Sequence, residues 1–441
     1  IAQPIHKLRA PCLSSALVIG GGVAGMTAAL AIADSGYDVH LVEREDVLGG
    51  NLRDLSYVAE GSDPQKLLRD LLTRIRSHQK IKTYTRAKVI GHSGQVGRFR
   101  TELVIRLADG TSTHTTLEHA VTVIATGARE SRNHPLLQHP GIMTQRQLEE
   151  TIVRHPEKTD ALREVVMIQC VRPEGTPPYC SRLCCTNALK NAVRLKLLNP
   201  SCRVTVLYKD IVAYGFREEF YTNAREHGVV FIRYTDECPP RVSTEGNRLS
   251  VIARDLALNR ELVLPADVVA LSMAITTGPE TVELARTLGV PLSAEGFFAE
   301  AQLKLRPMDF TREGVFLAGM AQYPKFLEES ISHALAAAGR AISILSQDSV
   351  HLGPIVARVD SGKCVGCLTC VRVCPFGAPR VVAEEGRTGV GGLGGAAFID
   401  PTLCQGCGTC TAECPANAIE LDNFSDQQVM LPHINGLGTW Q

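Results

Sequence analysis

Two cysteine runs near the end of the chain, "KCVGCLTCVRVCP" at 363–375 and "LCQGCGTCTAECP" at 403–415, share one spacing, C-x2-C-x2-C-x3-C-P. Thiolates at that spacing hold [4Fe–4S] cubes, and the fourth cysteine of each run crosses to the other cube. Cys364, Cys367, Cys370 and Cys414 are therefore expected around one cluster, and Cys404, Cys407, Cys410 and Cys374 around a second. A third group lies upstream in "MIQCVRPEGTPPYCSRLCCTNALKN" at 167–191, namely Cys170, Cys180, Cys184 and Cys185. No C-x-x-C spacing occurs there, which argues against a dithiol redox pair. Zinc would accept four thiolates but carries no electron. A [4Fe–4S] cluster needs four thiolates and backbone donors of the kind a helix N-terminus supplies. The cluster is the preferred reading, with zinc and unligated core cysteines as the alternatives. Of the 15 cysteines, Cys12, Cys202 and Cys238 stay unassigned, and buried structural thiols are their default.

A second chemistry is written in glycine. The apolar run Ala16 to Ile19 meets Gly20-x-Gly22-x-x-Gly25, a helix is expected through about Ser35, and Val39 to Val42 returns as a strand ending on Glu43. In such a unit the first glycine makes the turn, the second admits a pyrophosphate, the third lets helix and sheet pack, and the acid takes ribose hydroxyls. The uncharged stretch from Leu13 to Ala33 is long enough to cross a bilayer, but its glycines and the strand beyond fit a buried strand, turn and helix better.

The elements that must position these groups follow from the pattern. Val165 to Gln169, Thr186 to Leu198 and Val204 to Leu207 again read strand, helix, strand, with the four-cysteine loop where the glycine turn would be. The fold class is α/β, with two dinucleotide-binding folds and a two-cluster module. The expected division is an extension at 1–13, an FAD-binding part at 14–160, an insertion with the cysteine loop at 161–275 and a second FAD part at 276–346. A linker at 347–358, the cluster module at 359–422 and a tail at 423–441 complete it. "TGVGGLGG" at 388–395 reads as a surface loop.

The 441 residues carry 46 Lys and Arg against 46 Asp and Glu, so no basic surplus points to nucleic acid. No cleavable leader pattern stands at the start, and the cysteine content then fits a reducing, cytoplasmic compartment.

Gly49-Gly50-Asn51, "VTVIATG" at 121–127 and "GVFLAG" at 314–319 together resemble the FAD-binding segments of the thioredoxin-reductase-like flavoproteins. That resemblance implies FAD as the nucleotide, with Gly50, Asn51, Thr126, Gly127, Gly319 and Met320 beside it. In those proteins an Asp usually follows the last segment and binds the ribitol, whereas this chain has Met320. The helix "ESISHALAAAGRA" would aim its positive end at the flavin pyrimidine.

"IQC…PYCSRLCC", "AEGFFAEAQLKLRP" before "GVFLAG", and the terminal double run, which is that of a bacterial ferredoxin, resemble the A subunit of heterodisulfide reductase over nearly the whole chain. The resemblance implies FAD and three [4Fe–4S] clusters, Lys190 near flavin N5, and a flavin that splits electron pairs between a high-potential and a low-potential acceptor. Its implied partners are other subunits of such a complex, a hydrogenase or dehydrogenase donor module, and ferredoxin. A homodimer within the complex stays open, and neither nucleic acid nor a membrane span is expected. The chain departs from the family in passing straight from "GGN" to "LRDLSYVAEGSDPQKLL", without the inserted ferredoxin module, and in reading "CVRP" where relatives commonly read "CVGS".

Overall fold

The computed structural model describes residues 9–172, 175, 179–244, 249–351, 355–382, 390, 395–401 and 404–424. Most of the glycine-rich stretch at 388–395 lies outside them.

Buried β-branched and leucine runs build two parallel sheets of the same design. In the first, the strands stand in the order Val315–Leu317, Val121–Ile124, Ser15–Ile19, Asp38–Val42 and Ile81–Tyr84. All neighbours are parallel, with Leu17 opposite His40 on one side and Thr122 on the other. The second runs Ile142–Thr144, Val268–Met273, Glu164–Val171, Arg203–Tyr208 and Val230–Arg233, also all parallel. Each sheet is interrupted in the chain by a three-stranded antiparallel meander, Ala87–Gln95 with Arg98–Arg106 and Ser112–His119 before Val121–Ile124, and Arg241–Ser243 with Ser250–Asp255 and Arg260–Pro265 before Val268–Met273. Strands buried on both faces read as unbroken apolar runs, which is why periodicity found them.

Helices Val23–Asp34 and Leu327–Leu345 pack against each other through small side chains, with Ala24, Gly25, Ala28 and Ala29 on one and Ala334, Ala337, Ala338 and Ala341 on the other all buried. Small residues let the two backbones come close, and dispersion contacts then accumulate along the pair.

Three expectations shift. The strand Ile142–Thr144 and helix Gln145–Arg154, read with the first fold, belong to the second sheet, because Ile142 pairs with Val269. The crossing between folds is instead a short antiparallel ribbon, Arg129–Glu130 with Ile275–Thr276. The expected extension and linker each contain a strand, Arg9–Pro11 and Ser349–His351, paired with one another. The helix after the cysteine loop begins at Leu183 rather than Thr186, so Cys184 and Cys185 sit on its first turn.

The cluster module folds its repeat onto itself. Ala357–Val359 pairs antiparallel with Ile419–Leu421, and Pro379–Val382 with Ala396–Ile399. Two short helices, Thr369–Val373 and Thr409–Ala412, occupy equivalent places in the two copies.

The first meander encloses a directed hydrogen-bond chain. His119 Nδ1 donates to the Val121 carbonyl at 3.0 Å, so its Nε2 accepts from the Thr101 hydroxyl at 2.8 Å, and Thr101 Oγ1 accepts from His92 Nδ1 at 2.8 Å. Burial pushes the His119 imidazole down to about 3. Unfolded histidine takes a proton below about 6.5 while folded His119 refuses it, so stability present above that pH is lost as pH falls toward 3. His119→Asn is expected to melt lower at neutral pH but to lose less on acidification, giving a shallower melting-temperature profile over that window.

Candidate functional site

A cavity of about 840 Å³ opens at the carboxyl ends of the first sheet's strands. Gly20, Gly22, Glu43, Gly50, Asn51, Thr126, Gly127 and Met320 all line it. Gly25 and Gly319 shape it from behind. A Cβ at Gly25 would collide with the Gly20 carbonyl, and one at Gly319, held at φ 64°, would meet Ala24 Cβ at 2.6 Å. Gly22 and Gly127 differ, because a Cβ there meets no protein atom within 4 Å and both face the cavity. At Gly22 neither packing nor backbone conformation demands glycine, so close approach of a ligand is the reason left, whereas Gly127 is also held at φ 72°, which favours glycine by itself. Size and cradle together fit a dinucleotide.

Glu43 is buried and its carboxylate holds the turn together. Oε2 accepts the Gly21 N–H at 2.6 Å and Oε1 the Glu45 N–H at 2.9 Å. Asn51 donates to the Ala128 carbonyl at 2.6 Å and accepts from Arg146 at 3.4 Å.

The thiol loop forms where the second sheet's central strand leaves its ladder. Val165 to Ile168 pair in register with Val268 to Leu271, then the register slips before Val171, and Cys170 takes φ 59° at the slip. Arg182, at φ 61°, turns the chain into the helix. The four thiols lie within electrostatic reach of one another: Cys180 acts on Cys170, and Cys170, Cys180 and Cys185 all act on Cys184. Backbone donors reach two of the sulfurs, Arg182 N–H to Cys180 at 3.3 Å and Val212 N–H to Cys185 at 3.4 Å. Burial raises the Cys170 and Cys184 thiols and pushes Cys185 up to about 11. Cys185 is buried, Cys170 and Cys184 are half-buried and Cys180 is exposed; with three of the four thiols raised and amide donors at two sulfurs, the set has the chemistry of a site that a positively charged metal group would complete by taking the protons' place.

The loop is fastened to the cavity wall. The Tyr323 hydroxyl donates to the Cys180 carbonyl at 2.9 Å, and Arg182 bridges to Glu329 at 2.7 Å. Glu329 also accepts the Phe326 N–H at 2.9 Å, capping the helix Leu327–Leu345. Met320 packs in one apolar cluster with Tyr179, Leu183, Tyr323 and Phe297.

In the terminal module two cavities appear. One is lined by Cys364, Cys367, Cys370 and Cys414, the other by Cys374, Cys404, Cys407 and Cys410. Amide donors reach their sulfurs too, Ala397 N–H to Cys364 at 3.3 Å, Ala357 N–H to Cys404 at 3.2 Å and Ala418 N–H to Cys414 at 3.3 Å. Of the unassigned cysteines, Cys202 is buried, whereas Cys12 and Cys238 are half-buried.

Lys190 is not among the residues lining the 840 Å³ cavity. Its buried ammonium pairs with Glu149 at 2.8 Å and donates to the Tyr57 carbonyl at 2.6 Å. Glu149 in turn accepts the Ser56 N–H at 2.6 Å, and the Tyr57 hydroxyl donates to Asn191 at 2.6 Å.

Sequence reasoning missed Glu130, Arg132 and Arg146, which line the cavity. Glu130 lies on the crossing ribbon and acts electrostatically on Cys184, while burial holds its own carboxyl above the usual range. No local motif marks such residues, since only the ribbon brings them in. Gly22→Ala is expected to leave the melting temperature of the ligand-free chain unchanged while weakening dinucleotide binding at least tenfold, about 1.4 kcal/mol. Gly25→Ala is expected to lower both, as read by thermal shift and flavin titration.

Comparison with known proteins agrees with this architecture. The family described as pyridine nucleotide-disulphide oxidoreductase matches residues 14–169, and the 4Fe-4S dicluster domain matches residues 363–418. The first iron–sulfur A subunit of CoB–CoM heterodisulfide reductase in Methanopyrus kandleri is 30% identical over 96% of this chain and 76% of its own. The A subunit of the H(2):CoB-CoM heterodisulfide,ferredoxin reductase of Methanothermobacter marburgensis is 28% identical over 88% of this chain and 72% of its own. Thioredoxin reductase of T. acidophilum shares the fold, with TM-score 0.51 and 16% identity over 76% of this chain and 98% of that one. The chain is an FAD-dependent oxidoreductase with [4Fe–4S] centres, and it belongs to the family of heterodisulfide reductase iron–sulfur A subunits.

Proposed function

We propose that this chain is the flavin and iron–sulfur electron-transfer subunit of a heterodisulfide-reductase-like complex, and that electron pairs are split at its FAD. One electron of each pair would go to low-potential ferredoxin and one to an acceptor subunit of disulfide type or other high potential, with a hydrogenase or dehydrogenase module as donor. The observation that carries this reading is the gathering of Cys170, Cys180, Cys184 and Cys185 at the turn where the second fold would otherwise seat a pyridine nucleotide. A thiolate site replaces a hydride donor's site, so electrons have to arrive singly and from protein partners.

FAD, when bound, supplies two-electron chemistry, and each cluster supplies one-electron transfer. Cys170, Cys180, Cys184 and Cys185 would hold one cluster; Cys364, Cys367, Cys370 and Cys414 a second; Cys404, Cys407, Cys410 and Cys374 a third. Gly20, Gly22 and Gly127 make room for the nucleotide, Glu43 braces the turn and takes the ribose, and Met320 with its aromatic neighbours keeps water from the side facing the thiol loop. Lys190 orders the Ser56–Tyr57 segment beyond Asn51 through Tyr57 and Glu149, which supports a positioning role. The resemblance gives its ammonium a further place beside flavin N5, and its bonds to the Tyr57 carbonyl and Glu149 leave one of its three N–H donors for that contact. Among the described residues no helix is long and apolar enough to cross a membrane.

The loaded chain is expected to contain about twelve irons. Cys184→Ser should remove about four of them without releasing FAD, whereas near eight irons with one zinc in the wild type would refute the loop cluster. Neither NADH nor NADPH should bleach the flavin of the isolated chain at a useful rate, and rapid bleaching by either would refute the functional reading.

A further inference from the structure

The two cysteine runs are internal controls for each other, since both must satisfy the same cluster geometry. Residue by residue they share Gly366 with Gly406 at φ 64° and 63°, and Thr369 with Thr409, whose hydroxyls contact Cys367 and Cys407 at 3.3 and 3.5 Å. In each copy that one cysteine is exposed at the surface. The residues around it diverge. Val365, Leu368, Val371 and Arg372 of the first run are all exposed, and their counterparts are Gln405, Gly408, Thr411 and Ala412.

Leu368 is the telling position. It holds φ 63°, a conformation disfavoured for a side chain with a Cβ, where the second run has Gly408 at φ 79°. It is 43% exposed and also lines the cavity of Cys364, Cys367, Cys370 and Cys414, so it covers that site while part of it stays open to solvent. Strain retained at an exposed position points to a use of the side chain rather than to the fold. Arg372 adds an exposed cation to this run and Lys363 a second one, the latter paired with Asp360 at 3.4 Å, while the second run carries Glu413 in place of Val373.

We infer that Leu368, Val365 and Val371, edged by Arg372, form the docking face for a dissociable acidic one-electron carrier protein, with Cys367 as its point of electron exchange. The inference rests on the proposed function and adds which cluster meets the soluble carrier. An apolar centre with the Arg372 cation at its edge fits a partner with an apolar contact flanked by carboxylates, and steering of this kind speeds encounter and weakens with salt. One electron leaves the first cluster and one oxidised carrier is reduced; no proton moves. The second run, polar and small around the exposed Cys407, is left to face a permanent subunit.

The test uses the full chain loaded with FAD and iron, and an acidic two-[4Fe–4S] ferredoxin as probe. Wild type is measured first: absence of any electron exchange with the probe would count against the proposed function itself. Leu368→Gly, Val371→Thr and Arg372→Ala each borrow the residue of the second run, so the fold has a precedent for them. Leu368→Gly is expected to melt no lower than wild type yet to weaken ferredoxin binding about tenfold, and the triple variant to weaken it further. Arg372→Ala should flatten the salt dependence of the transfer rate. Gln405→Ala and Thr411→Ala should change neither quantity. Unchanged affinity and salt dependence in all three first-run variants, in a chain that still exchanges electrons with the probe, would overturn the inference. So would binding to anionic phospholipid vesicles lost in the same variants while ferredoxin affinity holds.

Discussion

A parallel strand that runs into a helix leaves unpaired N–H groups at one point, and that point accepts one kind of ligand. Both sheets of this chain end their central strand in such a turn, and the rest of the molecule follows from how each is used. After Ile19 the chain turns tightly through Gly20 and starts its helix at Val23, with Gly25 pressed onto the Gly20 carbonyl. In the second fold residues 172–182 separate the strand ending at Val171 from the helix at Leu183, and non-glycine residues take positive φ on either side, Cys170 and Arg182. A tight glycine turn leaves room for a phosphate, whereas a longer connection can bring four sulfurs together.

The cost of ionising the thiols separates the loop from the outer cysteines of the terminal module. In the loop every resolved thiol shift is upward, led by desolvation, so four thiolates there are tolerable only with cationic metal among them. In the terminal module burial raises Cys370 and Cys410 in the same way, while the Thr369 and Thr409 hydroxyls hold the exposed Cys367 and Cys407 thiols below the usual range. Each of the three cysteine sets keeps one exposed member, Cys180 in the loop and Cys367 and Cys407 in the module.

What could be read from the sequence was what repeats or runs unbroken. The paired cysteine runs, the glycine turn ending on Glu43 and the strands around Ala16 to Ile19 and Val165 to Gln169 carry their own local pattern. What could not be read depends on contacts between distant segments. Ile142–Thr144 is too short to show a period, and only its pairing with Val268–Met273 assigns it to the second sheet. Glu149 looks like any helix-surface acid until Lys190, Ser56 and Tyr57 close on it. The first turn of the helix at Leu183 was hidden because its cysteines break the apolar spacing that periodicity detects.

Met320 then ceases to be an isolated oddity. It lines the cavity and also belongs to one apolar cluster with Tyr179 and Leu183, the residues just before Cys180 and Cys184. A carboxylate at 320 would lie in that apolar cluster, facing thiolates on one side and the nucleotide on the other. Desolvation and like charge would both act against its ionised form. A thioether has no charge to lose and packs with the apolar cluster of Ala128, Ile275 and Phe297, whose ring also meets those of Tyr179 and Tyr323. The absent aspartate and the cysteine-bearing loop are thus two sides of one exchange, in which a polar wall suited to a nucleotide domain becomes an apolar wall between two redox sites.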